Sequence, residues 1–248
     1  MSSTIMVVPC YNEEKRLPSS TFLSYARPRA HLRFLMVDDG SKDGTRNVLQ
    51  ALAAEDPQHF SVHALEQNSG KAEAVRHGLL KAMESNPDYV GFWDADLATP
   101  LEAADEFIAT LDRNPQVDMV LGSRVQLLGR NIERDRGRHY FGRVAATAVS
   151  NMLGLRVYDT QCGAKLFRVT DQMRELFREP FLTRWVFDVE ILARWIKANQ
   201  SLPRPVLEAR VHEIPLKEWK DVKGSRLKPM DFVKAPLELA RIWRHYFG

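Results

Sequence analysis

At 248 residues, with 44% hydrophobic and 27% charged positions, the chain is long enough for one large domain or one domain with an appendage, and its composition is that of a folded globular protein. A formal net charge of +3 is too small to imply a nucleic-acid partner, and two cysteines far apart, Cys10 and Cys162, make no disulfide framework and fit a reducing compartment. Met1-Ser2-Ser3-Thr4 lacks the basic start of a signal peptide and no apolar run approaches the ~20 residues of a membrane-spanning helix, so a cytoplasmic protein is expected, free or attached to a membrane surface.

Ile5-Met6-Val7-Val8 is a short apolar run of the kind that forms a buried parallel strand, ended by Pro9. Tyr11-Asn12-Glu13-Glu14 then reads as a helix start with Asn12 as its cap. A second strand, Arg33 to Val37, runs into Asp38-Asp39-Gly40-Ser41, and a helix follows from Asp43 to about Ala54. Phe60 to Leu65 is a third strand, followed by Asn68-Ser69-Gly70-Lys71 and a helix to about Glu84. Tyr89 to Trp93 is a fourth, running straight into Asp94-Ala95-Asp96, with Thr99 as cap of a helix from Pro100 to about Leu111. Val117 to Leu121 is a fifth, closed by Gly122-Ser123-Arg124.

Strands alternating with helical segments imply βαβ units: an α/β fold with a mostly parallel central sheet flanked by helices. Its strand ends carry Asp38-Asp39, Asn68, Asp94-Asp96 and Ser123-Arg124, and in such folds these ends line one crevice. The dinucleotide fingerprint G-x-G-x-x-G is absent, and Gly70-Lys71 lacks the glycine that a phosphate loop requires five positions earlier.

Beyond Leu128 a basic run holds Arg130, Arg134, Arg136, Arg138, His139 and Arg143, either a solvated face or guanidiniums for phosphate oxygens. A helix is expected from Tyr140 to Leu153, a turn at Asp159-Thr160-Gln161-Cys162-Gly163, a strand over Ala164 to Arg168 and a helix from Val186 to about Ala198. Pro203-Arg204-Pro205 breaks the chain, Val206 to Pro215 reads as an edge strand, and Glu218 to Arg226 as a polar loop. The last segment, Pro229 to Phe247, is amphipathic. At ~100° per residue Phe232, Pro236, Leu239, Ala240, Trp243, Tyr246 and Phe247 fall together, opposite Lys234, Glu238, Arg241, Arg244 and His245. It either packs on the domain or lies at a membrane surface with its basic side near anionic lipid. The expected division is a domain over 1–227, with halves 1–124 and 125–227, and a terminal helix over 228–248.

Two carboxylates one position apart at a strand end suit Mg2+ or Mn2+, hard cations that keep waters and take further oxygens from a diphosphate. The same residues also read as acidic groups before a helix N-terminus.

Together these stretches resemble family 2 glycosyltransferases of the GT-A type, and within them the dolichyl-phosphate β-glucosyltransferase and polyprenyl-phosphate mannosyl- and glucosyltransferase group. The resemblance is carried by Val8-Pro9-Cys10-Tyr11-Asn12-Glu13-Glu14, Val37 to Thr45, Asn68-Ser69-Gly70-Lys71-Ala72, Asp94 to Pro100 and Gly122-Ser123-Arg124. Asp159 to Phe167, Phe187-Asp188-Val189-Glu190 and Gly224-Ser225-Arg226-Leu227 carry it through the second half. The resemblance implies that Pro9, Tyr11, Glu13 and Asp38 or Asp39 hold the nucleobase and ribose of a nucleotide sugar, UDP-glucose or GDP-mannose, with Lys71 near the ribose or diphosphate. Asp94, Ala95 and Asp96 would contact the donor, and Asp94 and Asp96 would hold the metal. Arg124 would face the diphosphate or the acceptor phosphate. The acceptor implied is a polyprenyl or dolichyl phosphate, with Arg136, Arg138, Arg168, Ser225 and Arg226 as candidates to hold its phosphate. Inverting transfer to such a phosphate needs no base. The alternative, transfer to a soluble or polysaccharide hydroxyl, would need one, and Asp188 or Glu190 is available.

Overall fold

The computed structural model describes residues 2–133, 146–222 and 229–248, the side chains of 229–233 excepted. The strands, in chain order, are β1 (Thr4–Cys10), β2 (Leu32–Asp38), β3 (Phe60–Ala64), β4 (Tyr89–Trp93), β5 (Met119–Ser123), β6 (Asn131–Glu133), β7 (Ala164–Arg168), β8 (Val211–Pro215) and β9 (Glu218–Lys220). The helices are α1 (Ser19–Ala26), α2 (Thr45–Glu55), α3 (Lys71–Met83), α4 (Ala103–Arg113), α5 (146–153), α6 (Asp171–Arg178), α7 (Phe187–Ala198), α8 (Arg204–Ala209) and α9 (Pro229–Tyr246).

The central sheet has the order β3-β2-β1-β4-β7-β5-β8. Every neighbouring pair is parallel except those made by β7, which runs antiparallel to both β4 and β5. This is the mostly parallel sheet that the alternation of strands and helices predicts. The apolar runs of β1, β2 and β4 are continuous because both faces are covered. Side chains leave a strand alternately to either side. Val7, Leu35, Val37 and Phe92 pack with residues of α3, α6, α7 and α9. Met6, Val8, Phe34, Met36 and Trp93 pack with α1, α2 and α4. Trp93 and Phe107, fully buried with centroids 5.5 Å apart, each contribute about 1.5–3 kcal/mol by burial.

One consequence positions the site. β1, β2, β4 and β5 all end at the same edge of the sheet, at Cys10, Asp38, Trp93 and Ser123, and the antiparallel β7 begins there, just after Gly163.

Several expectations are corrected. No helix opens at Tyr11. Asn12 adopts a left-handed backbone, φ 49°, and its side chain accepts from the backbone N–H of Lys42 at 2.8 Å, while the Glu13 N–H donates to Thr45 Oγ1 at 2.6 Å. The chain there is sewn to the β2–α2 loop, and the first helix waits until Ser19. Likewise α4 begins at Ala103, because Thr99 is buried and its carbonyl is taken by Trp93 Nε1 at 2.8 Å. The prolines that break the chain at Pro203 and Pro205 also start a helix, so only Val211–Pro215 of the expected edge strand is extended, and it does lie at the sheet edge. Glu218–Lys220, expected as loop, pairs with β6. Helix α6 has no counterpart in the sequence reading; Thr170 caps it by accepting from the Met173 N–H at 3.1 Å.

Helix α9 is present and packs against α7. Its buried stripe is Ala235, Leu239, Ile242 and Tyr246, spaced i, i+4, i+7, i+11, with Phe247 beside it. The expected stripe is rotated by about one position: Pro236, Ala240 and Trp243 are exposed, because the contact is centred on Ile242. Among the described residues no helix is long and apolar enough to cross a membrane.

Candidate active site

The walls of the crevice are loops that follow β1, β2 and β3, and they are held by carboxylates. Asp38, fully buried, accepts from the Ser41 N–H at 3.0 Å and from Arg46 Nε at 2.9 Å, so it shapes its own turn. Asp39 reaches across to the loop before α3, accepting from the N–H groups of Ser69 (2.7 Å) and Gly70 (2.9 Å) and from Asn68 Nδ2 (3.0 Å). Burial raises the pKa of Asp39, against the two N–H groups that lower it. Gly40 makes this approach possible: at φ 61° a Cβ on it would stand 2.4 Å from the Gln67 carbonyl carbon. Pro9 and Tyr11 are half-buried at the end of β1, and Glu13 is buried in a two-point pair with Arg16. Pro9, Tyr11, Glu13, Asp38 and Asp39 thus lie at the ends of β1 and β2, on one edge of the sheet.

The floor is the turn after β4. Asp94 donates its N–H to the Gly163 carbonyl at 3.0 Å, and its Oδ1 stands 2.5 Å from Lys71 Nζ, on the first residue of α3. Two residues on, Asp96 Oδ1 accepts the Ala98 N–H at 3.1 Å, while Ala95 between them is buried. Leu97 is held at φ 52°, a conformation a branched side chain adopts at a cost of roughly 1–2 kcal/mol. That cost marks a turn dictated by its surroundings. Burial, and then the charge of Asp94, push the pKa of Asp96 up. Burial opposes the charge on Lys71, but Asp94 and Asp188 outweigh it and its pKa rises.

Gly163 is the reason Asp94 sits where it does. A Cβ on Gly163 would fall 1.9 Å from Asp94 Oδ2, so the backbone of the turn before β7 forms the back of the carboxylate. Beneath it, the fully buried Lys165 donates to the Cys162 carbonyl at 2.6 Å and pairs with Asp188. Burial raises the pKa of Asp188, opposed by Lys165 and Lys71. The charges alternate inward from Asp94 to Lys71, Asp188 and Lys165. In the sequence Gly163 and Lys165 stand out only as parts of the Asp159 to Phe167 motif. A lysine in the middle of an otherwise buried strand is the signal that it has an internal partner.

The donor set at Asp94 and Asp96 is two oxygens from closely spaced carboxylates, and among the described residues no group of three His, Cys, Asp or Glu side chains forms a closed metal cage. Burial first, and the charge of Asp94 second, raise the pKa of Asp96, so the pair stands with little compensating positive charge beyond Lys71. Such a set fits a hard divalent ion that takes its other ligands from water and phosphate.

The remaining expectations divide. Arg124 stands at the right edge, but its guanidinium is paired two-point with Asp159 (2.6 and 2.8 Å), which also accepts its backbone N–H. Glu213 in turn accepts from the N–H groups of Tyr158 and Asp159, so Arg124 braces the segment that leads to Gly163. Arg168 is a correction. It pairs with Tyr89, at the far end of β4 from Asp94, and donates to the carbonyls of Val117 (3.0 Å), Leu111 (2.7 Å) and Asn114 (3.2 Å). The antiparallel direction of β7 carries its last residue away from the crevice. Glu190 is a second correction. Fully buried, it accepts from the N–H groups of Leu182 and Thr183, from Arg194 and from the Tyr246 hydroxyl, which leaves it no capacity to act as a base. Arg136, Arg138, Ser225 and Arg226 lie outside the described residues.

Residues 5–174 match the family model described as glycosyl transferase family 2. Over 250 residues the chain is 32% identical to a dolichyl-phosphate beta-glucosyltransferase of Trichomonas vaginalis, covering 96% of this chain and 72% of that protein. A dolichyl-phosphate beta-glucosyltransferase of Drosophila melanogaster is 32% identical, covering 97% and 74%. Among solved structures, glucosyl-3-phosphoglycerate synthase from Mycobacterium tuberculosis in complex with UDP superposes with a TM-score of 0.66 at 21% identity, over 98% of this chain and 80% of that one. The same enzyme with Mn2+, UDP-glucose and phosphoglyceric acid gives 0.65 at 20%, over 97% and 77%. At that identity the likeness is one of fold.

Proposed function

Since the chain belongs to glycosyl transferase family 2, we propose that it is an inverting hexosyltransferase that moves glucose from UDP-glucose to a dolichyl or other polyprenyl phosphate at the cytosolic face of a membrane. GDP-mannose is the competing donor. The observation that carries the reading is the Asp94–Asp96 pair at the carboxyl edge of the sheet, with Lys71 as its near counter-charge. The names of the relatives supply the acceptor class.

Asp94 and Asp96 would hold Mg2+ or Mn2+, and the ion would neutralise the charge that grows on the departing nucleoside diphosphate. Lys71, on the first turn of α3, would meet the same diphosphate. The loops tied by Asp39 and Asn12 would seat the nucleoside, and Gly163 keeps Asp94 from moving away from its partner. A phosphate monoester is already anionic near neutrality, with a second pKa of about 6, so its oxygen attacks the anomeric carbon without a base. This matches a site in which Asp188 is spent on Lys165 and Glu190 on Arg194. For the same reason a hydroxyl acceptor has less support. Membrane contact would be made by the part of α9 that faces away from α7, where Leu237 is exposed among Lys234, Arg241 and Arg244, with the exposed Trp243 at its flank.

The test is donor consumption by the purified protein, with UDP-glucose or GDP-mannose, with and without divalent metal, and with and without short-chain polyprenyl phosphate. Turnover that needs both metal and lipid phosphate is expected. Equal turnover without the lipid would overturn the acceptor assignment.

A further inference from the structure

The segment 181–186 between α6 and α7 is clamped by three carboxylates from three different helices. Glu73 of α3 accepts the Phe181 N–H at 3.0 Å. Glu190 of α7 accepts those of Leu182 (3.0 Å) and Thr183 (3.1 Å), together with the Thr183 hydroxyl. Glu238 of α9 accepts those of Trp185 (3.1 Å) and Val186 (3.2 Å). Hydrogen bonds to a carboxylate are stronger than neutral ones, and together these fix the backbone of the connection.

What the clamp presents is Arg184. Its side chain is exposed and lies over the loop before α3, donating from Nη2 to the Ser69 carbonyl at 3.2 Å. Its Nε and Nη2 are 3.7 Å from where a Cβ of Gly70 would be, so the guanidinium lies in van der Waals reach of the residue that precedes α3. Lys71 follows Gly70 in the chain and Asp39 accepts the Gly70 N–H; burial raises the Asp39 pKa, and the charge of Arg184 is among the influences that oppose the rise. Of the five N–H donors of the guanidinium, one is spent on Ser69. Among the described residues no carboxylate oxygen is within ion-pair distance of it, in contrast to the committed Arg124 and Arg194. A rigidly mounted guanidinium at the lip of a crevice, next to a lysine and a helix N-terminus, has the chemistry for a phosphate.

We propose that Arg184 is a phosphate-binding residue of this site, acting with Lys71 on a phosphate group of a substrate. The inference rests on the glycosyltransferase reading for the substrates that carry the phosphate. That phosphate belongs to the nucleoside diphosphate or to the lipid acceptor.

The experiment compares Arg184→Ala, Arg184→Lys and wild type in direct binding by calorimetry. The probes are UDP against uridine, and short-chain polyprenyl phosphate against the corresponding polyprenol. Circular dichroism confirms that the variants fold. The expected result is a loss of about tenfold or more in affinity for one phosphate-bearing probe, partly restored by lysine, with its phosphate-free counterpart unchanged. A loss on UDP assigns Arg184 to the donor, and a loss on polyprenyl phosphate to the acceptor. Affinities within twofold of wild type for both phosphate probes would overturn the proposal, as would equal losses on uridine and UDP, which would make the residue a support for the loop. Since binding needs no turnover, a protein that bound these probes yet never transferred sugar would refute the proposed function and leave this result standing.

Discussion

Two acidic pairs with the same spacing sit at helix-side edges of this molecule and do opposite things. Asp94-Ala95-Asp96 follows β4; Asp188-Val189-Glu190 opens α7. Asp94 and Asp96 lie open to the crevice, with Lys71 and one backbone N–H as their side-chain oxygens' named partners. Asp188 and Glu190 are buried, the first on Lys165, the second on Arg194, Thr183, Leu182 and Tyr246. Carboxylates with unspent lone pairs at a crevice are chemistry; carboxylates whose oxygens are filled by the protein are architecture. The donors that surround a pair decide which it is, and spacing along the chain does not.

The contrast can be broken in order of expected effect. Asp96→Ala should lower turnover by about a thousandfold or more, roughly 4 kcal/mol, with the protein still folded, because the only bond the fold draws from this side chain among the described residues is the one to the Ala98 N–H. Full activity in that variant would move the chemistry elsewhere. Glu190→Ala should do the reverse, costing about 3–5 kcal/mol of stability by stranding Arg194, measured by urea unfolding. If Glu190→Ala folded normally and lost only turnover, the base role would return. Gly163→Ala should fold yet lose about a hundredfold in rate, since its Cβ must push Asp94 aside. Arg168→Ala should cost about 1–3 kcal/mol through three deserted carbonyls and leave the acceptor KM unchanged.

The smallest effect concerns pH. The pKa of Asp96 is raised by burial and by Asp94, so the folded chain holds that proton more tightly than the unfolded chain does. Its ionisation therefore costs stability increasingly as pH rises from the ordinary carboxylate value through the raised one, and in full above the raised one. Asp96→Asn should melt slightly above wild type at neutral pH and match it in acid, while remaining inactive. A melting point below wild type at neutral pH would mean that Asp96 is stabilised by partners of its own.

Much of the fold is legible in the sequence because the buried strands are continuous apolar runs and their ends carry Asp38-Asp39, Asp94-Asp96 and Ser123-Arg124. The failures have one physical form. Asn12 reads as a helix cap because a side-chain oxygen near a chain turn satisfies local donors, and here the donor came from Lys42, 30 positions away. Arg168 reads as a free cation because nothing local contradicts it, and the direction of β7 sends it to the far edge. The stripe of α9 is off by one position because the wheel does not say which side α7 will present.

The chain by itself determined the strands of the central sheet, that they are parallel for the most part, and that two carboxylates stand where β4 ends, since these follow from hydrophobic period and local backbone chemistry; the short β6–β9 pair did not follow from it. Only the tertiary structure decided which charged groups are spent. Arg124 on Asp159, Lys165 on Asp188, Glu190 on Arg194 and Arg184 held over Ser69 by three glutamates are settled across 4 to 115 positions. A charge in a sequence carries no record of its partner, and burial, set by the packing of whole elements, determines whether it must have one.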